Sequence, residues 1–360
     1  MDVRLSEEQR MLAATAAAVA ASIGVRQPAE LETFDVDRAW SRLARTGVLA
    51  LGVPDAEVDE EAGTLHLALV AEQLARHAVP APYLGSAGLA TSLLAACDRS
   101  DDLLKSLADG EVRATVCLTA DLSSIAEVQS GDAIAYDALG VHQVLAITTD
   151  GAVMAREARG LAEAVQFDPT RLALALKADA ADGRLAGWSA CGRVSAEFMQ
   201  RWRARALALV CADMVGAMQG ALDLMVSYAK VRRQFGAPIG SFQAIQHLCA
   251  DQAVHVEAAR SYLWFAAWAA DREPPEEALR AAASAKAYCS DVARRVGEAC
   301  VQVHGGIGIT WECQVHLYLK RLLVDAVLLG DAVDQLERLA SQRYGGQGLR
   351  QVDRTERMEA

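Results

Sequence analysis

Two adjacent arginines and two phenylalanines stand close together in residues 228–246, YAKVRRQFGAPIGSFQAIQ. An arginine offers a planar fork of N–H donors that matches a phosphate or pyrophosphate, so Arg232 and Arg233 are candidates for binding a phosphorylated ligand. Phe235 and Phe242 could flank a flat heterocycle. The alternative is that Arg232 only complements the dipole of a helix that ends beside it, and spacing alone favours this simpler interpretation.

A second candidate is the glycine-rich stretch at residues 302–310, QVHGGIGIT. A glycine pair such as Gly305-Gly306, which follows a long predicted helix from Pro275, first of all ends that helix. It also leaves bare backbone against which a ligand can lie, with the Gln302 amide available for hydrogen bonding. The stretch lacks both the preceding strand of a dinucleotide-binding fold and the GK[ST] ending of a P-loop, so neither motif is assigned. His304 beside the glycines is interpreted as a structural group.

Local signals place the arginine pair at a helix end. The apolar helix that precedes it is predicted to end near Phe235-Gly236. The Ala237-Pro238 step is predicted to turn the chain, and a second helix is predicted to begin beyond Ser241. Arg232 and Arg233 are therefore expected at a helix carboxyl terminus, beside a turn.

The period of the apolar residues divides the chain into three blocks. They recur at three-to-four spacing over residues 6–107, which predicts helices, and alternate over residues 111–189, which predicts strands. A hairpin turn is expected at Asp150-Gly151, and helical spacing returns in long segments after Arg193. The alternating stretches are 114–118, 144–148 and 172–176.

Composition excludes several classes of protein. The chain has 360 residues, 52% of them hydrophobic, so it can bury a large core. Its formal net charge is −12 with the basic residues scattered, so nucleic acid is not an expected partner. The histidines are too dispersed for a metal site, and no metal is expected.

The cysteines, the amino-terminal stretch and the apolar runs bear on the cellular compartment of the protein. Eight cysteines without CxxC spacing are interpreted as buried thiols in a reducing compartment. The start is typical of a capped helix, Ser6 to Gln9, and not of a secretion signal. The longest apolar runs are interpreted as shorter than a membrane span requires, so no membrane partner and a cytoplasmic location are expected.

Four stretches fall in the order and at about the spacings of one family: MDVRLSEEQ, LALGVP at residues 49–54, RRQFGAPIGSFQAIQ and QVHGGIGIT. Over nearly its whole length the chain resembles the acyl-CoA dehydrogenases. The resemblance implies a mainly α fold with a middle β domain, which agrees with the three blocks. The implied parts are an amino-terminal helical domain (1–109), a β-barrel-like domain (110–192), a four-helix bundle (193–344) and a mobile tail (345–360).

The resemblance also implies FAD as cofactor, shared at a subunit interface, with its ADP part held by the bundle of a neighbouring subunit. In this interpretation Arg232 binds the pyrophosphate and Phe242 neighbours the adenosine. The full set of implied cofactor-binding residues is Arg232, Gln234, Phe235, Phe242, Gln302, Gly305 and Gly306.

The catalytic base of the family is missing from both positions where it could stand. The family removes the α-proton of an acyl-CoA with a glutamate after the glycine segment, and Leu329 occupies that place. Ala206 occupies the earlier helical position that some members use. Since neither side chain accepts a proton, no catalytic residue is assigned. The flavin-ring loop of the family, Thr-Glu-Pro followed by Gly-Ser-Asp, is replaced by TADLSS at 119–124.

This pattern, with the PAPY segment at residues 80–83, resembles the short, non-catalytic subunits of heteromeric α2β2 acyl-CoA dehydrogenases of sterol and bulky acyl-CoA degradation. The implied function is a share in α,β-desaturation of an acyl-CoA to the 2-enoyl thioester. A longer catalytic subunit and electron-transfer flavoprotein, or a similar acceptor, are the implied partners. Two alternatives stay open: a self-sufficient homotetramer with Asp325 or Asp331 as a displaced base, and a flavin-free scaffold subunit.

Overall fold

The computed structural model describes residues 4–53, 63–128, 132–177 and 187–344, and it opens on a helical block. Ser6 and Gln9 cap the first helix reciprocally, as the sequence predicted: Ser6 Oγ accepts from the Gln9 amide at 3.1 Å, and Gln9 Oε1 accepts from the Ser6 amide at 3.0 Å. The regularly spaced Leu67, Val70 and Leu74 are buried. The helices are α1 (Glu7–Ile23), α2 (Val36–Ala44), α3 (Thr64–Arg76), α4 (Thr91–Leu94) and α5 (Asp101–Ala108).

The middle block is a seven-stranded mixed sheet. Its strands are β1 (Ala114–Thr119), β2 (Ala133–Tyr136), β3 (Gln143–Ile147), β4 (Ala152–Glu157), β5 (Ala162–Glu163), β6 (Ala173–Leu176) and β7 (Ser189–Arg193). They lie in the order β5-β6-β2-β1-β3-β4-β7. Among the strand pairs of the described residues, β1 and β3 are the pair that runs parallel, with Val116 opposite Leu145. The three alternating stretches are β1, β3 and β6, and Asp150-Gly151 lies in the β3–β4 hairpin, as predicted.

The central strand β1 is buried on both faces, and its successive side chains point to opposite sides of the sheet. Val116 and Leu118 of β1 join the large core shared with the helices. Cys117 lies between them in sequence but packs with Ala135 and Val144 in a second cluster on the other face. One face of the sheet therefore packs against the helical core.

In the described residues, the carboxyl-terminal block is a bundle of three long helices and two shorter ones. The predicted start at Pro275 is confirmed, and Met214, Met218 and Met225 are fully buried in the bundle core. The elements are α6 (Ala196–Val231), β8 (Arg233–Gln234), β9 (Ala237–Pro238), α7 (Gln243–Arg272), α8 (Pro275–His304), α9 (Val315–Val327) and α10 (Ala332–Tyr344).

Helix α6 corrects the expectation that every apolar run is shorter than a membrane span. By length and composition α6 could cross a membrane, with a mean hydropathy of 1.5 over its most apolar window. However, 78% of that window is buried inside the protein. A helix that is apolar on every side suits the centre of a core, where other helices surround it.

The cysteines are free thiols, as expected. Six of the eight are buried, and Cys249 and Cys313 are partly buried. The expected mobile tail, residues 345–360, and Pro54 of the LALGVP stretch lie outside the described residues.

Buried ion pairs join the sheet to the bundle. Arg171, just before β6, bonds Asp213 of α6 through Nη2 at 2.5 Å, and its Nη1 lies 3.4 Å from Asp137 after β2. Arg321 of α9 approaches the same Asp213 with Nε and Nη2, at 2.8 and 2.7 Å. Each of these four side chains is at most 4% exposed. Two guanidiniums on one buried carboxylate therefore fix the sheet against α6 and α9.

Candidate functional site

A short hairpin follows α6 and carries the arginine pair. Helix α6 ends at Val231, and the two-residue strands β8 and β9 pair on either side of Phe235-Gly236. The predicted helix end near Phe235-Gly236 was therefore wrong, as was the turn at Ala237-Pro238. Phe235 and Gly236 have φ of +51° and +79°, the left-handed pair that closes a two-residue hairpin. The residue before Pro238 is restricted to extended backbone, which suits a strand better than a turn.

The hairpin presents its polar and aromatic side chains to solvent. Arg232 caps α6 and is exposed, and it pairs with no carboxylate among the described residues. Arg233 donates from Nη2 to the carbonyl of Gly236 at 2.9 Å, so part of its guanidinium belongs to the hairpin itself. Phe235 is 95% exposed and meets Phe242 edge to face, with ring centroids 6.2 Å apart. An exposed apolar ring beside an unpaired cation is typical of a surface that binds a ligand or another chain.

The glycine stretch leaves bare backbone at the end of α8. Gly305 has φ +66° and ends the helix, as predicted. Gly306 has no such backbone requirement, and a Cβ placed there would meet no atom within 4 Å. Gln302 is exposed on the last turn of α8. Internal packing does not require a glycine at 306, and its backbone is open to close approach from outside the chain.

One aromatic contact brings the two stretches to the same end of the bundle. The rings of Tyr228, in the last turn of α6, and His304, in the last turn of α8, stack with centroids 4.5 Å apart and planes inclined by 22°. His304 Nδ1 also lies 2.7 Å from the Cys300 carbonyl, and burial lowers the pKa of His304. His304 is thus a structural group, as expected, and it joins the hairpin to the glycine stretch.

The two positions of the missing base are closed and apolar. Ala206 is fully buried, and Leu329 is 1% exposed. Leu329 has φ +61°, uncommon for a leucine, and its amide donates to the Leu122 carbonyl at 2.8 Å. The side chain of Gln335 donates to the carbonyls of Leu329 and Gly330. The loop at Leu122 and the turn at Leu329 are therefore in direct backbone contact.

The loop over residues 119–124 uses its polar groups on itself. Asp121 Oδ1 accepts from Thr119 Oγ1 at 2.6 Å and from both the amide and the hydroxyl of Ser123, at 3.1 and 2.8 Å. The Thr119 amide donates to the Ser124 carbonyl at 2.9 Å. Several polar groups of this loop are therefore hydrogen-bonded to one another.

The two aspartates considered as displaced bases have other surroundings. Asp325 is fully buried in α9, where burial first, and then the charge of Asp213, raises its pKa well above the ordinary value. Asp331 starts α10: its Oδ1 accepts from the Asp334 amide at 2.8 Å, and Asp334 Oδ2 accepts from the Asp331 amide at 3.1 Å. One carboxyl is sealed in the core, and the other caps a helix.

Sequence reasoning missed Lys286, a fully buried lysine on α8. Its Nζ donates to Ser290 Oγ, to the carbonyl of Ala326 at 2.9 Å and to that of Gly330 at 3.0 Å. Burial lowers the pKa of Lys286 to about 8. A lysine on the apolar, alanine-rich face of α8 was the available signal. Through these hydrogen bonds Lys286 holds the end of α9 and the turn at Leu329.

A helical block, a mixed sheet and a carboxyl-terminal bundle, in this order, define the fold class that the sequence predicted. The description "Acyl-CoA dehydrogenase, N-terminal domain" matches residues 6–110, and "Acyl-CoA dehydrogenase, C-terminal domain" matches 193–344. The acyl-CoA dehydrogenase IpdE2 of Mycobacterium tuberculosis is 32% identical over 93% of this chain and 97% of its own length. The chain belongs to the acyl-CoA dehydrogenase family.

Solved structures agree with this assignment. A variant of the Tcur3481-Tcur3483 steroid ACAD superposes with a TM-score of 0.81 and 25% identity, over 94% of this chain and 98% of its own. A chain of the ChsE4-ChsE5 complex from Mycobacterium tuberculosis gives 0.79 and 22% identity, over 97% and 100%. The second likeness concerns the fold alone.

Proposed function

We propose that this chain is the non-catalytic subunit of a heteromeric, FAD-dependent acyl-CoA dehydrogenase that desaturates a bulky or steroid-derived acyl-CoA at Cα–Cβ. A longer subunit supplies the base, and electron-transfer flavoprotein or a similar acceptor removes the electrons. FAD, when bound, supplies the two-electron acceptor for this oxidation. The domain limits 1–109, 110–192 and 193–344, and a cytoplasmic location, are part of the same proposal. The names of the steroid ACAD and of the ChsE4-ChsE5 complex support the substrate class and the heteromer.

The observation that carries the proposal is the stack of Tyr228 on His304. It joins an exposed, unpaired guanidinium, Arg232, and two exposed aromatic rings to a stretch of bare backbone at Gly305-Gly306. A nucleotide diphosphate needs a cation for its phosphates, flat apolar surfaces for its base and backbone it can approach closely. The residues at this end of the bundle fit the ADP half of FAD.

Each residue has a defined task in this proposal. Arg232 binds the pyrophosphate with its planar fork, and Phe242 lies against the adenosine. Gly306 lets the ligand approach the backbone, and Gln302 donates or accepts through its amide. Gln234, Phe235 and Gly305 complete the contact.

In this proposal the ring half of FAD is held by the partner subunit, and three features of this chain support that division. The amide of Leu329 bonds the Leu122 carbonyl directly, and the polar groups of residues 119–124 bond one another. No titratable side chain stands at 206 or 329. The reacting ring and the proton acceptor are therefore assigned to the partner subunit.

The test is the FAD content of the complex, purified after co-expression with the longer homologue. Arg232→Ala is expected to lower FAD content several-fold, because one charged hydrogen-bonding group contributes about 1.5–3 kcal/mol. Arg294→Ala is the matched control, since Arg294 is an exposed arginine of α8 that, among the described residues, pairs with Glu298 of its own helix alone. Full flavin occupancy with Arg232→Ala would contradict the proposal and favour a scaffold role.

The self-sufficient homotetramer is tested on the chain expressed alone. We expect a colourless protein that does not reduce an electron acceptor when given acyl-CoA. Yellow protein with ordinary turnover would require a base inside this chain. Asp325→Asn would then abolish that turnover if the buried carboxyl were the base.

A further inference from the structure

Three arginines line a depression along helix α2, in the amino-terminal block. The depression has a volume of about 310 Å³, and its walls are Arg38, Ser41, Arg42 and Arg45. Residues at positions i, i+3, i+4 and i+7 lie on one face of a helix, so the guanidiniums follow one another along α2. From Arg38 to Arg45 the row is about 10 Å long, at about 1.5 Å per residue. In a chain with a net charge of −12, this face is a local concentration of positive charge.

None of these guanidiniums is neutralised within the part of the chain that the structure describes. Arg38 and Arg45 are exposed, and their side chains form no ion pair or hydrogen bond with a described residue. Arg42 is half-buried, and its Nη1 donates to the hydroxyl and to the carbonyl of Ser22, at 3.0 and 3.3 Å. Because Ser22 belongs to α1, this contact fixes the Arg42 guanidinium in place while its Nε and Nη2 donors stay available for a ligand.

The carboxylates around α2 serve other groups. Asp37 pairs with Arg113 at 2.6 Å. Asp35 caps α2, with Oδ1 accepting from the Arg38 amide at 2.9 Å, and Glu30 Oε2 accepts from a backbone amide at 2.8 Å. No carboxylate of a described residue lines the depression, so the charge of its walls is positive.

A groove of about 340 Å³ adjoins the depression, between the end of α1 and the start of α2. The two cavities share the side chains of Arg38 and Arg42. The rest of the groove includes apolar and acidic side chains: Ile23, Val25, Phe34, Glu30 and Asp35. A ligand that occupies both cavities would therefore meet cations at one end, and an aromatic ring with hydrogen-bond acceptors at the other.

We propose that this site binds a nucleoside di- or triphosphate, with the phosphates on Arg38, Arg42 and Arg45 and the base in the groove. Guanidiniums match phosphate oxygens with forked hydrogen bonds, and a row of about 10 Å suits a chain of phosphates better than a single one. The base can lie against Phe34 and donate from an amino group to Glu30. The inference does not rest on the flavin proposal, because none of these residues belongs to the hairpin or the glycine stretch.

The probe is ATP, titrated calorimetrically at low salt into the full chain carrying Arg232→Ala, which removes the arginine proposed to bind the pyrophosphate of FAD. We expect one ATP per chain. Tripolyphosphate should bind several-fold more weakly because it lacks a base, and adenosine should not saturate the chain at about millimolar concentration because it lacks phosphates. Equal affinity for tripolyphosphate would overturn the nucleotide assignment. Absence of saturable ATP binding at about millimolar concentration would overturn the site.

Three substitutions in the same background locate the binding. Arg38→Gln and Arg45→Gln are each expected to weaken the binding of ATP and of tripolyphosphate several-fold. Phe34→Leu should weaken ATP binding and leave tripolyphosphate binding unchanged, because only ATP has a base. Arg294→Gln makes the same change in net charge on α8 and should leave both affinities unchanged. Circular dichroism checks that each variant is folded.

Two results would contradict this location. An ATP affinity that is the same in Arg38→Gln, Arg45→Gln and the Arg294→Gln control would overturn the inference. An ATP affinity unaffected by Phe34→Leu would overturn the placement of the base.

Discussion

Two aspartates that face each other in the core, Asp213 and Asp325, have pKa values shifted in opposite directions. Burial alone would raise the pKa of Asp213, but the guanidiniums of Arg171 and Arg321 outweigh it and hold that pKa below the ordinary range. No donor among the described residues reaches either oxygen of Asp325, whose pKa is raised by burial and by the charge of Asp213. A protonated Asp325 can donate to Asp213. The pair is best described as one carboxylate and one carboxylic acid.

This division predicts the effect of Asp325→Asn on stability. The folded chain keeps the Asp325 proton where the unfolded chain releases it, so the wild type loses stability as pH rises from about 4 toward the raised pKa. Asparagine cannot ionise and keeps a similar shape. At about pH 7 the variant should be more stable by about 1 kcal/mol or more, since each pKa unit corresponds to about 1.4 kcal/mol. Urea unfolding of the wild type and the variant between about pH 4 and pH 7 measures this difference in the free energy of unfolding.

The comparison must allow for the neighbouring titratable groups. Arg171, Arg321, Tyr136 and Lys286 also face this carboxyl pair, and Lys286 has a pKa of about 8. Measurements therefore stop near pH 7, below the titration of the lysine. A difference between variant and wild type that does not grow with pH would refute the protonated state of Asp325.

At the scale of elements, the β8–β9 hairpin keeps a phenylalanine in a poor position for its own stability. Phe235 has φ +51° and is 95% exposed, although asparagine and glycine are the residues that a two-residue turn prefers. Within the part of the chain that the structure describes, its one ring contact is the edge-to-face pair with Phe242. The side chain therefore contributes little to folding, which suits a residue retained for binding.

Phe235→Asn separates folding from binding. The better turn residue offsets the lost ring pair, so the free energy of unfolding should change by less than about 1 kcal/mol. FAD content of the complex should fall nonetheless, because the aromatic surface is gone. Chemical unfolding of the isolated chain and flavin absorbance of the complex provide the two measurements. Unchanged flavin content would show that Phe235 is not a cofactor contact.

At the scale of the whole molecule, one buried carboxylate connects three elements. Asp213 of α6 receives Arg171 from the sheet and Arg321 from α9, and Arg171 also reaches Asp137 at the end of β2. The large core likewise extends from the amino-terminal helices through one face of the sheet into the bundle. Sheet and bundle are therefore expected to unfold together.

Asp213→Asn tests this connection with the same chemical change used at Asp325. Here it leaves two buried guanidiniums without their shared anion, which costs about 3–5 kcal/mol. The unfolding midpoint should fall sharply, and it should fall alike for far-ultraviolet circular dichroism and tryptophan fluorescence. A loss below about 1 kcal/mol would mean that the ion pairs do not hold the sheet on the bundle.

Part of the site could be inferred from local sequence, and part could not. The capping box at Ser6, the helix start at Pro275 and the helix end at Gly305 were predicted because each depends on neighbouring residues only. The end of α6 was misplaced by four residues, since Phe235 has no local preference for the left-handed backbone that forms the turn. The role of Lys286 could not be inferred, because its acceptors come from α9 and from the turn after it.

The sequence by itself determined the order of helical, strand and helical blocks, and it supplied the residues that we propose bind a nucleotide, because periodicity and side-chain chemistry are local properties. Only the tertiary structure decided that Arg232 and Gly306 lie at one end of the bundle, joined by Tyr228 and His304. It also decided that Asp325 is sealed against Asp213 and that the loop at Leu122 closes on Leu329. Such pairings depend on how distant segments pack, and burial sets the free energy of every charge they enclose.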